Sequence, residues 1–274
     1  NFSPTAGSKA ISCAISAMAI WRLCLLARRA LPLTRPVRLS NQSSGQPVLL
    51  ACDTTQGACS VALRKNGEII SDLQVMTRGH AEALMPMIER LCEQAQIPMS
   101  QLQRLAVTHG PGTFTGVRVG LSAMRGLALA LKVPLCAIGT LHAMAAAAAP
   151  SDQKLIVAVD ARRDTYYTQV FDGQNQPLSA PQACSLAALE SLLPDAAIRV
   201  AGTGASALCA IDGQRFSALD IAAYPHAANV LRLAEALSDE TWASISPHHE
   251  PLYLRPPDAS LPNPDKQLRR LNDG

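Results

Sequence analysis

The chain is poor in the features that mark several common protein classes. Charged residues occupy only 16% of its 274 positions and the net charge is +3, so its body carries no pattern of a basic surface built to grip nucleic acid. RNA contact by the chain alone is not expected. No run in the body approaches an uninterrupted membrane span. The eight cysteines, at 13, 24, 52, 59, 92, 136, 184 and 209, include no Cys-x-x-Cys pair and lie mostly in apolar contexts such as Leu135-Cys136-Ala137. They read as buried thiols of a reducing compartment rather than as a disulfide framework. A zinc centre needs clustered Cys and His; only His248 and His249 are adjacent, in a proline-rich stretch that reads as a loop.

Acidic residues are absent from positions 1–47, where Lys9, Arg22, Arg28, Arg29, Arg35 and Arg38 accompany many Ser, Ala and Leu. That composition fits an organellar transit peptide, and Ile11 to Leu26 has the look of a short signal-type core interrupted by Arg22. We treat 1–47 as a separable extension with a short helix around 11–29, and start the folded body at Val48.

What the body does have is centred on Val107 to Lys132. An apolar run ends at Val107, Gly110-Pro111-Gly112 breaks it, and Val117, Leu121, Met124, Ala128 and Leu131 then recur at helical spacing. Strand, tight loop and helix follow in order, with Thr113 or Thr115 placed to cap the helix. Free amides at such a helix start suit a phosphate or a carboxylate. Gly116, Gly120, Ala123, Gly126 and Ala130 put small residues on successive turns, so that another helix can approach closely, while Arg118 and Arg125 share another side.

Upstream, Val48 to Cys52 is a buried-strand run ending in Asp53-Thr54-Thr55; Cys59 to Leu63 and Glu68 to Val75 supply two more strands. His80 opens a helix with Leu84, Met87, Ile88 and Leu91 inward, and Arg104 to Val107 returns as strand. Beyond the central helix come a strand at 133–138 and an alanine-rich helix from Thr140 to Ala149 that Pro150 ends. Strand, acid and strand then recur at Leu155 to Asp160 and Tyr166 to Phe171, which suggests a duplicated two-lobed fold. A helix at 185–193, a strand at 198–201, a second glycine turn at Gly202-Thr203-Gly204 and a helix at 227–237 complete the second half. Expected boundaries are 1–47 extension, 48–150 first lobe, 151–257 second lobe and 258–274 mobile tail.

Three strands with an acid and two hydroxyls at the first turn resemble the opening of the actin, Hsp70 and sugar-kinase (ASKHA) superfamily, an α/β fold in which that turn faces nucleotide phosphates. More specifically, Leu-Ala-Cys-Asp-Thr-Thr from Leu50, Arg-Gly-His-Ala-Glu-Ala-Leu from Arg78 and His-Gly-Pro-Gly-Thr-Phe-Thr-Gly-Val-Arg-Val-Gly from His109 resemble the TsaB family. Cys-Ser-Val-Ala-Leu from Cys59, Val-Asp-Ala-Arg-Arg from Val159 and Pro-Leu-Tyr-Leu-Arg-Pro-Pro-Asp-Ala from Pro251 complete the set in family order. That resemblance implies a cytoplasmic subunit of the bacterial machinery that places threonylcarbamoyl on the adenosine following the anticodon, in tRNAs reading codons that begin with adenine. It implies pairing with the paralogue TsaD, contact with TsaE through the complex, homodimers in isolation, tRNA met only within the complex, and no membrane. The candidate pairing face is Gly116, Arg118, Gly120, Ala123, Arg125, Leu127, His80 and Leu84; candidate nucleotide residues are Asp53, Thr54, Thr55, Gly110, Gly112 and Thr113. No resident cofactor is expected, with ATP or ADP a candidate ligand at the partner interface.

TsaD-type enzymes hold a metal with His-x-x-x-His after the strand that follows the central helix, because two imidazoles one turn apart can share one ion. In the matching register this chain has Thr140 and Met144, with His142 between them on another side. A hydroxyl and a thioether do not replace two imidazoles, so no metal site and no catalysis are expected. The competing readings are a stand-alone metallopeptidase, which lacks the ligand pair, and a small-molecule kinase in which Asp53 or Asp160 would coordinate magnesium.

Overall fold

The computed structural model describes residues 46–192, 196–246 and 248–255, all within Ser44–Gly274, the second of the two units into which the chain divides. The expected helix at 11–29 and the tail from Asp258 lie outside the described residues.

The first sheet begins with β1 (Leu49–Asp53), β2 (Ala58–Lys65) and β3 (Glu68–Val75), antiparallel neighbours, and adds β4 (Arg104–Thr108) and β5 (Leu135–Ile138) in parallel beyond β1. Its order is β3-β2-β1-β4-β5. β1 reads as a continuous apolar run because both faces are covered, the pattern of a central strand. On one face lie α1 (His80–Gln94), with Leu84, Met87, Ile88 and Leu91 inward as their spacing predicts, and α2 (Phe114–Leu131), against Leu50, Cys52, Val61 and Leu63.

The second sheet repeats the plan. β6 (Leu155–Asp160), β7 (Tyr166–Phe171) and β8 (Gln182–Cys184) are antiparallel, and β9 (Ile198–Ala201) and β10 (Phe216–Ala218) run parallel beyond β6, giving the order β10-β9-β6-β7-β8. Strand for strand, β6 to β10 occupy the places of β1 to β5. This duplicated α/β topology is the actin, Hsp70 and sugar-kinase architecture implied by the resemblance of the opening strands, and the duplication is the one that the repeated strand-acid-strand pattern suggests. α4 (Leu186–Leu192) and α5 (Ala205–Ile211) flank the second sheet.

Two helices do not respect the expected boundary at 150. α3 (Thr140–Ala145) sends Leu141, Met144 and Ala145 onto the second sheet with Val157 and Phe171, while Ala143 joins the first-sheet cluster. α6 (Ala227–Glu235) returns to the first sheet, packing Ala227, Val230, Leu231 and Ala234 with Leu49, Ala51, Ala62 and Ala106. Its first amide, on Ala227, donates to Ser60 Oγ at 2.9 Å, and Arg64 of β2 pairs with Glu235 at 2.6 Å. α7 (Asp239–Ser244) follows, its Trp242 buried in the same cluster. Residues 227–244, expected in the second lobe, therefore close the back of the first.

Candidate functional site

At the end of β1 the chain buries a polar knot. Asp53, Thr54, Thr55, Thr108 and Thr140 are each at most 1% exposed. Asp53 accepts hydrogen bonds from the Thr108 and Thr55 hydroxyls and from the Thr55 amide at 3.3 Å. The Thr140 hydroxyl donates in turn to Thr55 Oγ1 at 3.3 Å, and Thr54 Oγ1 donates to the Gly116 carbonyl at 2.7 Å. Burial pushes the Asp53 carboxyl up from 3.8 to about 6, with the Thr108 and Thr55 hydrogen bonds pulling the other way.

The Gly-Pro-Gly loop seals this knot. The Thr113 amide donates to the Thr55 carbonyl at 2.7 Å, and a side chain at Gly112 would place its Cβ 2.4 Å from that same oxygen. Gly110, at φ +116°, has the Leu252 carbonyl on its other side, where a Cβ would come within 2.5 Å. Thr113 caps α2 by accepting from the Gly116 amide at 3.2 Å. This corrects the expected phosphate role of Asp53, Thr54 and Thr55. Their polar groups are spent on one another and on the loop, and of the six candidate nucleotide residues only Gly112 and Thr113 reach the neighbouring cleft.

That cleft, about 780 Å³, opens where the two sheets face each other. Arg78, His80 and Glu82 border it from the start of α1, and Asp160, Arg162 and Thr203 from the second sheet. His80 Nε2 contacts the Gln56 carbonyl at 3.0 Å, which fixes the ring at the first turn. Asp160, unlike Asp53, is exposed; its Oδ1 accepts from the Arg162 amide at 2.7 Å, and its own amide donates to Thr203 Oγ1 at 2.9 Å. The segment 249–255 runs along one edge of the cleft, with Tyr253 and Arg255 in the lining.

On the far side of α2 is a second concavity, an apolar groove of about 480 Å³ between α1 and α2, with Ala81, Leu84, Met85, Val119, Ser122 and Ala123 along it. By length and composition α2 is apolar enough to cross a membrane, an exception to the expectation from the sequence, and only 28% of it is buried. Leu129 near its end is 81% exposed. The small-residue stripe divides. Gly116 and Gly120 face inward, where a Cβ would meet the Thr54 carbonyl at 2.0 Å and Thr54 Oγ1 at 2.6 Å, so they serve close packing of α2 on the end of β1 and are removed from the pairing face. Leu84 is buried at the groove floor, Leu127 is half-buried against the core, Ala123 half-exposed in the groove and Arg125 exposed. Gly126 has nothing within 4 Å. Arg118 lies 3.6 Å above the Phe114 ring, and its Nε donates to the Tyr253 hydroxyl at 2.8 Å.

Of the positions matched to metal ligands, Thr140 belongs to the polar knot and Met144 to the apolar core of the second sheet. His142 stacks on Phe171, ring centres 5.8 Å apart, and burial lowers its pKa. Among the described residues no three His, Cys, Asp or Glu side chains gather as a metal would require. Residue-type reasoning did not single out Phe114, Arg162, Tyr253 and Arg255, although three of the quoted blocks, from His109, Val159 and Pro251, contain them.

A family model described as TsaD, tRNA N6-adenosine threonylcarbamoyltransferase, matches residues 74–250. The chain is 36% identical over 223 residues to the tRNA threonylcarbamoyladenosine biosynthesis protein TsaB of Haemophilus influenzae, covering 76% of this chain and 93% of that protein. To the TsaB protein of Escherichia coli it is 34% identical over 121 residues, 43% of this chain and 52% of that protein. A crystal structure from Pseudomonas aeruginosa, described as having similarity to peptidase YEAZ, superposes with a TM-score of 0.66 at 31% identity, covering 77% of this chain and 100% of that one.

Proposed function

The chain belongs to the TsaB family, and from that premise we propose that it serves tRNA threonylcarbamoyladenosine biosynthesis as a cytoplasmic, non-catalytic subunit that pairs with a TsaD-type transferase. The observation that carries the pairing is α2, an 18-residue apolar helix that is only 28% buried and forms, with α1, a groove of small and apolar side chains. An apolar helical face of that size is stable in water when a partner covers it. Two helices laid against α1 and α2 would bury Met85, Val119 and Ala123, and a second copy of this chain is the natural substitute when the transferase is absent. TsaE and tRNA would join through the assembled complex. Any ATP or ADP would be held at the border with the partner, since the knot around Asp53 leaves no free donor for a phosphate.

The absence of catalysis rests on the donor set. Thr140 and Met144 offer no nitrogen at the two matched ligand positions, and both are buried. A metallopeptidase would need the ligand pair that Thr140 and Met144 do not supply, and a magnesium-dependent kinase would be left with Asp160 alone, since Asp53 is sealed at the end of β1.

Pairing is tested with Ala123→Arg and Met85→Glu in the full chain. Both face the groove, so the expected outcome is an unchanged melting temperature with affinity for the transferase reduced roughly ten- to a hundredfold, the effect of about 1–3 kcal/mol of misfit. Retained co-purification of both variants would remove this face from the pairing.

A further inference from the structure

The segment 249–255 has no regular secondary structure, yet it is tied at three places. At its start His249 Nε2 contacts the Leu135 carbonyl of β5 at 2.6 Å, and His109 Nδ1 contacts the Glu250 carbonyl at 3.2 Å. The Leu252 amide then donates to the His109 carbonyl at 2.7 Å, which fixes the strap to the loop after β4. In the middle Tyr253 packs on Phe114, ring centres 4.9 Å apart, and accepts from Arg118. At its end Arg255 Nη1 donates to the carbonyls of Ala161 at 2.9 Å and Arg162 at 3.3 Å, in the loop joining β6 to β7.

The gripped loop is an unusual one. Arg162, Arg163 and Asp164 have φ of 65°, 54° and 51°, three successive non-glycine residues in the left-handed region. Such a run persists only where its surroundings over-determine it. Here the Ala161 amide donates to the Thr165 carbonyl, the Thr165 amide to the Arg162 carbonyl, and Arg255 caps the outward carbonyls of 161 and 162. The same strap therefore holds the loop that presents Arg162 to the cleft and, through Tyr253, the start of the helix whose far side lines the groove.

We propose that residues 249–255 are a bolt across the cleft that couples the α1–α2 groove to the second sheet, with Arg118 and Tyr253 as the shared contact. This rests on the pairing reading for the identity of what fills the groove. Arg118 lines the groove and stacks on Phe114, which borders both concavities. A partner settling on α1 and α2 stiffens Arg118, Arg118 fixes Tyr253, and the strap carries that restraint to Ala161 and Arg162. Arg255 and Tyr253 act as positioning residues.

Hydrogen–deuterium exchange on the full chain, alone and with the TsaD-type transferase, tests the coupling. In the lone chain Arg255→Ala should speed exchange at Ala161 and Thr165 about tenfold, the factor that one hydrogen bond of about 1.4 kcal/mol supplies, while β1 and β4 stay protected. Arg255→Lys, which keeps a charged donor, should lie between wild type and Ala. Adding the transferase to wild type should slow exchange at Leu252, Ala161 and Thr165; in Tyr253→Phe and Tyr253→Ala, which lie outside the groove lining, binding should persist while that remote slowing is lost. Unchanged exchange at Ala161 and Thr165 in Arg255→Ala overturns the bolt, as does remote slowing that survives Tyr253→Ala. Failure of wild type to bind the transferase sinks the pairing reading instead, is seen before any exchange is measured, and leaves the lone-chain variants to decide the bolt.

Discussion

The two sheets share one strand order, but the acids at the ends of their central strands meet opposite fates. Asp53, the last residue of β1, is fully buried beneath Gly110-Pro111-Gly112; Asp160, the last of β6, is exposed at the cleft beside Gly202-Thr203-Gly204. The two glycine loops occupy the same place in the plan, one after β4 and the other after β9. In the first, Thr113 donates its amide down onto Thr55 and the helix behind it packs glycine on Thr54, so the loop closes over the acid. In the second, the Thr203 hydroxyl takes the Asp160 amide and leaves the carboxylate facing outward. One topological position thus supplies a latch in one half and an open rim in the other, and it is the loop that decides which.

The largest expected effect comes from forcing the closed half open. Gly116→Ala puts a Cβ about where the Thr54 carbonyl already sits, 2.0 Å away, and Gly112→Ala meets Thr55 at 2.4 Å. Backbone on both sides prevents relief by a rotamer change. A loss of about 3 kcal/mol or more is expected for Gly116→Ala, a fall in Tm of roughly 6–12 °C. Gly126→Ala is the control from the same helix: with open space at its Cβ, it should raise stability by about 0.5–1 kcal/mol. Equal melting of the two variants would mean that α2 does not rest on Thr54 as the closed half requires.

How much of this could be read beforehand follows the same division. β1 to β5 and the two long helices were legible because each is either a continuous apolar run or a strong helical period, bracketed by glycine or proline. The repeat of strand, acid and strand gave the duplication. In the second half β8 and β10 have three residues each, and α5 and α7 have seven and six, too short for a period to register. The stripe of small residues was legible as close packing but not as to what it packs on, since spacing cannot tell a neighbouring strand end in the same chain from another helix. The Asp-Thr-Thr turn was legible as a polar turn, yet its burial depends on a loop more than fifty residues away. The strap escaped because its ties join residues more than ninety positions apart: the Arg118–Tyr253 pair is visible only once the chain is folded, and the others run to backbone carbonyls, which leave no mark on residue type.

The second effect is a pH dependence belonging to the closed acid. Burial raises the Asp53 carboxyl from 3.8 to about 6, so the folded chain binds that proton more tightly than the unfolded one. The resulting stabilisation is complete below about pH 4 and is lost as pH rises through about 6, a change of order 3 kcal/mol for a shift of about two units. Asp53→Asn keeps an oxygen acceptor for Thr55 and Thr108 and cannot ionise. The difference in unfolding free energy between wild type and Asp53→Asn should therefore slope with pH between about 4 and 6 and level off above. Parallel denaturant curves for the two proteins at pH 4.5, 5.5 and 7 would show that the knot does not hold its acid dry.

The smallest effect belongs to the matching substitution in the open half, and it carries the comparison furthest. Asp160→Asn retains an Oδ1 that can accept from the Arg162 amide, and it leaves the hydrogen bond from its own amide to Thr203 untouched. The side chain is exposed, so water compensates whatever charge is removed, and the expected change in stability is within about 0.5 kcal/mol at pH 7. Asp160→Ala removes the acceptor as well. The Arg162 amide then loses its partner at the start of a left-handed run, which should cost about 1 kcal/mol and show as faster exchange at Ala161 and Thr165 before it shows in melting. If Asp160→Asn instead lowered stability as much as Asp160→Ala, the charge and not the acceptor would be holding the loop, and the two acids would differ in depth of burial while doing the same structural job.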